Sequence, residues 1–172
     1  MVIETERLFL REMTESDFEA LNKVLADSDI MRHYPYAFDE TRVRNWIQRN
    51  IDRYQVFGFG LWAVCLKETG ELIGDCGLTM QLINGQIKPK IGYHIRADKQ
   101  RKGYAKEAAT AVRDWTFHNT PFNVIYSYMK YTNTPSCRTA MAWGCKEVDA
   151  FEDDMNEVTK VFAISRDEWT NR

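Results

Sequence analysis

The sequence predicts a mixed α/β (α+β) fold: a mostly antiparallel central sheet with helices on both faces, in the order βααβββαβαββ. Three observations carry this. Apolar runs in the middle of the chain are separated only by turn residues, so those strands pair as antiparallel neighbours. Segments with apolar residues every three or four positions stand before and after that cluster, as amphipathic helices do. A fully apolar run, NVIYSYMKY, follows the longest of them and suits a strand buried on both faces.

Residues 2 to 11 alternate around Ile3, Leu8 and Leu10 and read as one strand. TESDFEALNKVLAD reads as a helix with Thr14 as N-cap, Asp17 three residues on, and Phe18, Leu21, Val24 and Leu25 along one face. From Asp39 to about Tyr54, Val43, Trp46, Ile47, Ile51 and Tyr54 recur at helical spacing. Arg42, Arg44, Arg49 and Arg53 fall mostly off that stripe, on a face for solvent or for a substrate. GLWAVCLK, ELIGDCGLTMQL and QIKPKIGYHIR are three antiparallel strands, joined by ETG and by the Asn84-Gly85 hairpin turn. QRKGYAKEAATAVRDWTFHN is a long helix offering Ala105, Ala108, Ala109, Val112, Trp115 and Thr116 to the sheet. After NVIYSYMKY, TPSCRTAMAWGC reads as a short helix closed by Gly144, and KEVDAFED and EVTKVFAISRDEW as a hairpin around Asp154 to Asn156. No repeat, low-complexity segment or linker marks a boundary, so residues 1–172 read as a single domain.

Composition narrows the function. A net charge of −2 and a pI near 6.0 give no global reason to expect a nucleic acid partner, so any basic segment needs a local explanation. Cys65, Cys76, Cys137 and Cys145 lie far apart without metal-ligand spacing, so no metal is expected and buried, reduced thiols are the default. The start, MVIETERLFLRE, has charges every few residues and no apolar signal core, and no run of about 18 apolar residues follows. The expectation is a soluble cytoplasmic protein with no membrane partner, monomer or homodimer.

The local exception is QRKGYA. Helix starts favour acidic residues because aligned amide dipoles leave partial positive charge there, yet the first charges met are Arg101, Lys102 and Lys106. Free N–H groups with added cations suit a bound anion. Neither GxxxxGK[ST] nor GxGxxG is present; what stands between strand and helix is Q-x-x-G-x-A. Gly103 permits close backbone approach and Ala105 keeps the next turn small, so successive amides can converge on a pyrophosphate.

Here the chain resembles the GNAT superfamily of acetyl-CoA-dependent N-acetyltransferases, and more narrowly the branch with the ribosomal-protein N-terminal (alanine/serine) acetyltransferases. ETERLFLREMTESD, ELIGDCGL, IGYHIRADKQRKGYAKEA and NTPSCRTAMAWGC carry the resemblance in the family's order. It implies that the strand before the loop splays from its neighbour and that main-chain groups of His94, Ile95 and Arg96 pair with the pantetheine arm. It implies further that Gln100, Arg101, Lys102, Gly103, Tyr104 and Ala105 form the pyrophosphate loop of acetyl-CoA, Asn133 contacts the pantetheine, and Ser136 lies near the thioester sulfur. N-T-P-S is equally a helix-capping sequence, which leaves the roles of Asn133 and Ser136 open. The acceptor would be a small amine or a protein N-terminus, with Tyr34, Tyr36, Phe38 and Asp75 as candidates for its pocket; core aromatics and a strand-edge acid explain these four nearly as well.

Acetyl transfer needs a neutral amine, whereas an alkyl ammonium has a pKa of about 10.4. Many members of the branch place Glu immediately before IGY as the base, but this chain has Lys90. His94, four residues on and so on the same sheet face, is the candidate base, and a histidine's reference value of about 6.5 suits the task. A packed histidine with a water-relayed proton is the other account. The leading reading is an N-acetyltransferase acting by direct attack in a ternary complex. A non-catalytic acyl-CoA-binding module that has lost its base is the alternative, and a nucleotide-binding regulatory domain is a third.

Overall fold

The fold begins with a turn where the sequence suggested one strand. In the computed structural model of the chain, which describes residues 2–154 and 157–172, β1 (Ile3–Glu4) and β2 (Leu8–Arg11) pair antiparallel, Ile3 facing Leu10. Thr5 makes the turn, its N–H donating to the Leu8 carbonyl at 2.9 Å and its Oγ1 accepting from the Leu8 N–H at 3.0 Å. Ile3 and Leu8 have opposite parity and could not share a face of one straight strand, a signal the simple alternation overlooked.

A 3₁₀ turn (Glu15–Asp17) leads into α1 (Phe18–Leu25), and α2 (Glu40–Phe57) follows, capped by Asp39 Oδ1, which accepts from the Arg42 N–H at 2.8 Å. The central meander is β3 (Leu61–Leu66), β4 (Leu72–Ile83) and β5 (Gln86–Ile95). Asn84 and Gly85 both take positive φ at the β4–β5 turn, as the Asn-Gly signal requires. The helix expected from Gln100 starts later, as α3 (Tyr104–Asn119), because Ala97–Lys99 form a 3₁₀ turn and Arg101 and Gly103 take positive φ. The remaining elements are β6 (Val124–Lys130), α4 (Thr134–Ala142), β7 (Lys146–Glu152), β8 (Val158–Ser165) and α5 (Arg166–Thr170). The last helix replaces the end of the expected final strand: Ser165 accepts from the Glu168 N–H at 3.2 Å while the Glu168 carboxylate accepts from the Ser165 N–H at 2.9 Å, a capping box visible as S-x-x-E. Of the expected hairpin tip, Met155 and Asn156 lie outside the described residues.

The strands form one sheet in the order β1-β2-β3-β4-β5-β6-β8-β7, antiparallel except between β5 and β6. α2 lies over one face, where Trp46 reaches Asp75; α3 and α4 lie over the other, where Trp115 packs on Trp62 at 4.9 Å and Tyr93 reaches Ser136. One hydrophobic cluster runs from Ile3 to Ile164 and includes Trp62, Trp143 and Ile91. All four cysteines are buried free thiols, and no helix of the described residues is long and apolar enough to cross a membrane.

The α1 end of that core depends on Asp17, which is buried and accepts from Arg11 through both oxygens at 2.7 and 2.8 Å and from the Thr14 N–H at 2.8 Å. Burial opposes its charge, but these bonds overcome that cost and hold the carboxyl below its ordinary value. Asp17→Asn should therefore lower stability by about 1.5–3 kcal/mol in urea melts near neutral pH. The difference from the parent should persist above the unfolded aspartate value of about 3.9 and vanish as the pH falls through the lower folded value; a pH-independent difference would contradict the assignment.

Candidate active site

β5 and β6 share a single register pair, Lys90 with Tyr126. Just past it Ser127 Oγ donates to the Ile91 carbonyl at 3.1 Å, and beyond that the strands diverge around a cavity of about 760 Å³ lined by both. Hydrogen bonds on the β4 side decide which main-chain groups face the gap. The Arg96 N–H donates to Ile73 O at 2.8 Å, so by the alternation of an antiparallel ladder His94 also turns toward β4, while Tyr93 and Ile95 turn away from it. The Ile95 carbonyl accepts from Gln100 Nε2 at 2.9 Å. What faces the gap is therefore the Tyr93 N–H and C=O and the Ile95 N–H. Both Arg96 main-chain groups are engaged, its carbonyl by the Lys99 N–H at 2.9 Å, so the register of exposed groups lies one residue earlier than the sequence suggested.

At the wide end stands the loop. Arg101 (φ 60°) and Gly103 (φ 84°) both adopt the left-handed region, which curls successive N–H groups into a concave nest at the N-terminus of α3. Residues 101–103 are exposed, and Tyr104 and Ala105 line the cavity with Gln100, Arg101 and Gly103. The nest is held from behind by residues about 100 positions away. Arg7 Nη1 donates to the Lys102 carbonyl at 2.9 Å, its guanidinium lies 4.4 Å over the Tyr104 ring, and Nη2 and Nε meet Glu107 Oε2 at 2.6 and 2.7 Å. Glu107 also accepts from Thr5 Oγ1 at 2.6 Å and the Arg7 N–H at 2.9 Å. The first-turn acid of α3 is thus turned away from the nest and neutralised there. No local pattern in the sequence marks Arg7 and Glu107 as partners.

On the face toward α2, Asp75 and His94 are cross-strand neighbours. Asp75 is wholly buried; its Oδ2 accepts from Trp46 Nε1 at 2.8 Å and its Oδ1 lies 2.7 Å from His94 Nδ1. A carboxylate only accepts, so Nδ1 carries the hydrogen and a neutral ring presents Nε2 as acceptor. Tyr34 OH, 3.0 Å away, donates to it. Burial above all raises the Tyr34 pKa, so the phenol keeps its proton. Trp46 had counted only as part of an apolar stripe; a buried indole N–H needs an acceptor, which was the available hint.

Lys90 faces the same cavity, its Nζ 4.3 Å above the Tyr128 ring. Burial lowers its pKa to about 8; Asp75 pulls the value up and Arg53 pushes it further down. Tyr128 lines the cavity as well. Asn133 and Ser136 line the cavity too, and the capping reading is also realised: Asn133 Oδ1 accepts from the Ser136 N–H at 3.3 Å, and the Ser136 carbonyl accepts from Tyr93 OH at 3.0 Å. Among the acceptor candidates Tyr34 lines the cavity, whereas Phe38 is buried behind it, edge-on to both Tyr34 and Trp46 at 5.5 Å, and Tyr36 is exposed at the surface under the Arg42 guanidinium at 3.9 Å. Asp75 does not line the cavity; it holds His94 from beneath.

A model of the acetyltransferase (GNAT) domain family matches residues 7–146. A Bacillus subtilis (strain 168) protein, YkkB, is 34% identical over 137 residues, 79% of this chain and 80% of its own. The solved acetyltransferase (GNAT family) of Bacillus anthracis superposes with a TM-score of 0.84 at 26% identity, over 97% of this chain and 99% of that one. RimL, a ribosomal L7/L12 α-N-protein acetyltransferase solved with coenzyme A, gives 0.80 at 18% identity, over 97% and 98%, a likeness of fold.

The nest and the gap together fit a pyrophosphate with an extended arm. A Cβ on Gly103 would sit 3.3 Å from Arg7 Nη2 in a left-handed backbone, and a carboxylate would add charge against the anion. Gly103→Glu should abolish coenzyme A binding in calorimetric titration; unchanged affinity would refute the loop's role.

Proposed function

The chain belongs to the GNAT acetyltransferase family, and from that membership as an acetyl-CoA-dependent acyltransferase we propose that it acetylates a primary amine whose proton is taken up by His94. One observation carries this reading: the Asp75–His94–Tyr34 chain opens on the gap where β5 and β6 part. Acetyl-CoA supplies the acetyl group as a thioester. The nest of residues 101–105 holds its pyrophosphate, and the free main-chain groups of Tyr93 and Ile95 extend the sheet along its arm. Asn133 adds a polar wall beside that arm. Ser136 stands near the leaving sulfur.

The amine approaches on the α2 side of the gap. It arrives protonated, and the proton passes to the Tyr34 oxygen as the Tyr34 proton passes to His94 Nε2. Asp75 keeps the ring in the accepting tautomer and stabilises the imidazolium that results; Trp46 fixes Asp75 in turn. Of the free groups at the end of β5, the Tyr93 N–H, the one deeper in the gap, is kept for the carbonyl oxygen where negative charge develops, while the Tyr93 C=O and the Ile95 N–H pair with the arm. Positioning within one gap supplies much of the remaining acceleration. This arrangement answers the missing glutamate. Lys90 stands in its place, and a base four residues along the same strand face takes over its task. The non-catalytic module reading rested on Lys90 alone, and family membership speaks for the enzyme.

We place the reaction in the cytoplasm, in a chain that folds as one domain, with a small amine or a protein N-terminus as acceptor. His94→Gln should lower kcat about 10²- to 10⁴-fold without weakening coenzyme A binding. Tyr34→Phe should reduce kcat at unchanged acetyl-CoA KM, and Asp75→Asn should both lower the rate and reshape the acid limb of its pH profile. A His94→Gln profile that matches the parent's in height and shape would end the assignment.

A further inference from the structure

The side of the gap that receives the amine carries a cation with no anion to meet it. Lys90 lies at the closed end, where β5 and β6 pair, and the nest lies at the open end, so an arm reaching in from the nest points toward Lys90. On its face Lys90 is followed by Gly92 and then His94. Its Nζ is 3.5 Å from the point a Cβ on Gly92 would occupy, so the ammonium leans along the strand toward the base.

Every element packed on this face bears on it. From β6 comes the ring of Tyr128, which engages the charge but accepts no hydrogen bond in that geometry. From β4 come Thr79, whose Oγ1 already accepts from Gln81, and Asp75, both of whose oxygens are taken by Trp46 and His94. From α2 comes a second cation, Arg53, bonded to Asn50 Oδ1 at 3.1 Å. Among the described residues no carboxylate lies within ion-pair distance of Lys90 or Arg53. Arg32 lines the same cavity, and Lys88 stands 4.6 Å over Tyr126 on the strand face of Lys90. The cavity's two carboxylates, Asp29 and Asp153, come from the segment after α1 and from the last hairpin, not from the sheet face of His94.

A partly buried ammonium with spare N–H donors is an unfilled binding group. We propose that Lys90 binds an anionic group on the acceptor, which is therefore a primary amine carrying a carboxylate or phosphate within a few bonds of its nitrogen. The inference rests on the reading that the amine gives up its proton through Tyr34 to His94. A polyamine, by contrast, would bring further positive charge against Lys90 and Arg53 with no free carboxylate on that face to receive it.

The test compares matched amines in the parent, Lys90→Gln and Lys90→Arg. The pairs are 2-aminoethyl phosphate with ethanolamine, β-alanine with β-alaninamide, and Ala-Asp-Ala with Ala-Asn-Ala; spermidine is the cationic probe. The anionic-to-neutral ratio of kcat/KM cancels intrinsic amine reactivity when compared between variants. It should fall on the order of tenfold or more in Lys90→Gln and be restored by Lys90→Arg, and the pair that shows it identifies carboxylate, phosphate or acidic peptide. Release of free coenzyme A with equal ratios in all three proteins would overturn the inference and leave the acetyltransferase reading standing. Were no amine to release coenzyme A, that reading would fail by itself. Thermal stabilisation of the coenzyme A-loaded protein by the anionic member of a pair, present in the parent and lost in Lys90→Gln, would still support the anion site; no differential stabilisation would refute it.

Discussion

The whole site depends on two strands that pair once and then separate. Main-chain N–H and C=O groups are obligatory hydrogen-bonding groups, and a sheet normally satisfies them on both sides of an interior strand. At Tyr93 and Ile95 it satisfies neither residue from β6, although β5 is an interior strand of the sheet. The vertex is fixed by Ser127 on Ile91, and Tyr93 is tied through its hydroxyl to α4, so the opening is built into the packing. A wedge of unpaired backbone offers an extended ligand what a missing strand would have offered. The nest of α3 lies at the open end of that wedge, and the acid–imidazole–phenol chain stands beside the unpaired groups of Tyr93 and Ile95.

Charge is distributed along the wedge with the same logic. At the nest, Glu107 faces backwards into Arg7 and Thr5, leaving partial positive charge forward for an anion. At the base, Asp75 is spent entirely on Trp46 and His94. Its negative charge stabilises a proton on imidazole but offers no oxygen to a ligand. Beyond His94, at the closed end of the wedge, Lys90, its value lowered to about 8 by burial, contributes positive charge on the same strand face. One buried acid thus holds His94 without presenting an oxygen to the cavity.

Much of this was legible in the sequence, where the information is local. Asn84-Gly85 specified a hairpin and Q-x-x-G-x-A a close-approach turn at a helix start, whereas the S-x-x-E cap of α5 stands in a segment that reads as strand. The phase of Lys90 and His94 on one strand put both on one face, and both line the cavity. What escaped depends on contacts between distant segments. Arg7 and Glu107 are 100 residues apart, and each alone is an ordinary surface charge. Trp46 looked apolar because helical periodicity weighs the ring and not its N–H. The exposed strand groups were misassigned by one residue because parity relative to β4 follows from a hydrogen bond, Arg96 to Ile73, that no pattern on β5 encodes. Tyr34, Tyr36 and Phe38 stood together as pocket candidates, but only the fold separates the phenol that reaches His94 from the buried Phe38 ring and the exposed Tyr36.

The central claim is that the unpaired groups at the end of β5 and the nest of α3 form one binding surface. Residue-resolved amide hydrogen exchange, with and without saturating coenzyme A, tests it most directly. The account predicts fast exchange of the Tyr93 and Ile95 amides in the free protein and marked slowing of both, together with amides 101–105, when coenzyme A is bound, while the Arg96 amide, already bonded to Ile73, changes little. Slowing confined to the loop with Tyr93 and Ile95 unaffected, or protection of those two amides in the free protein, would contradict it.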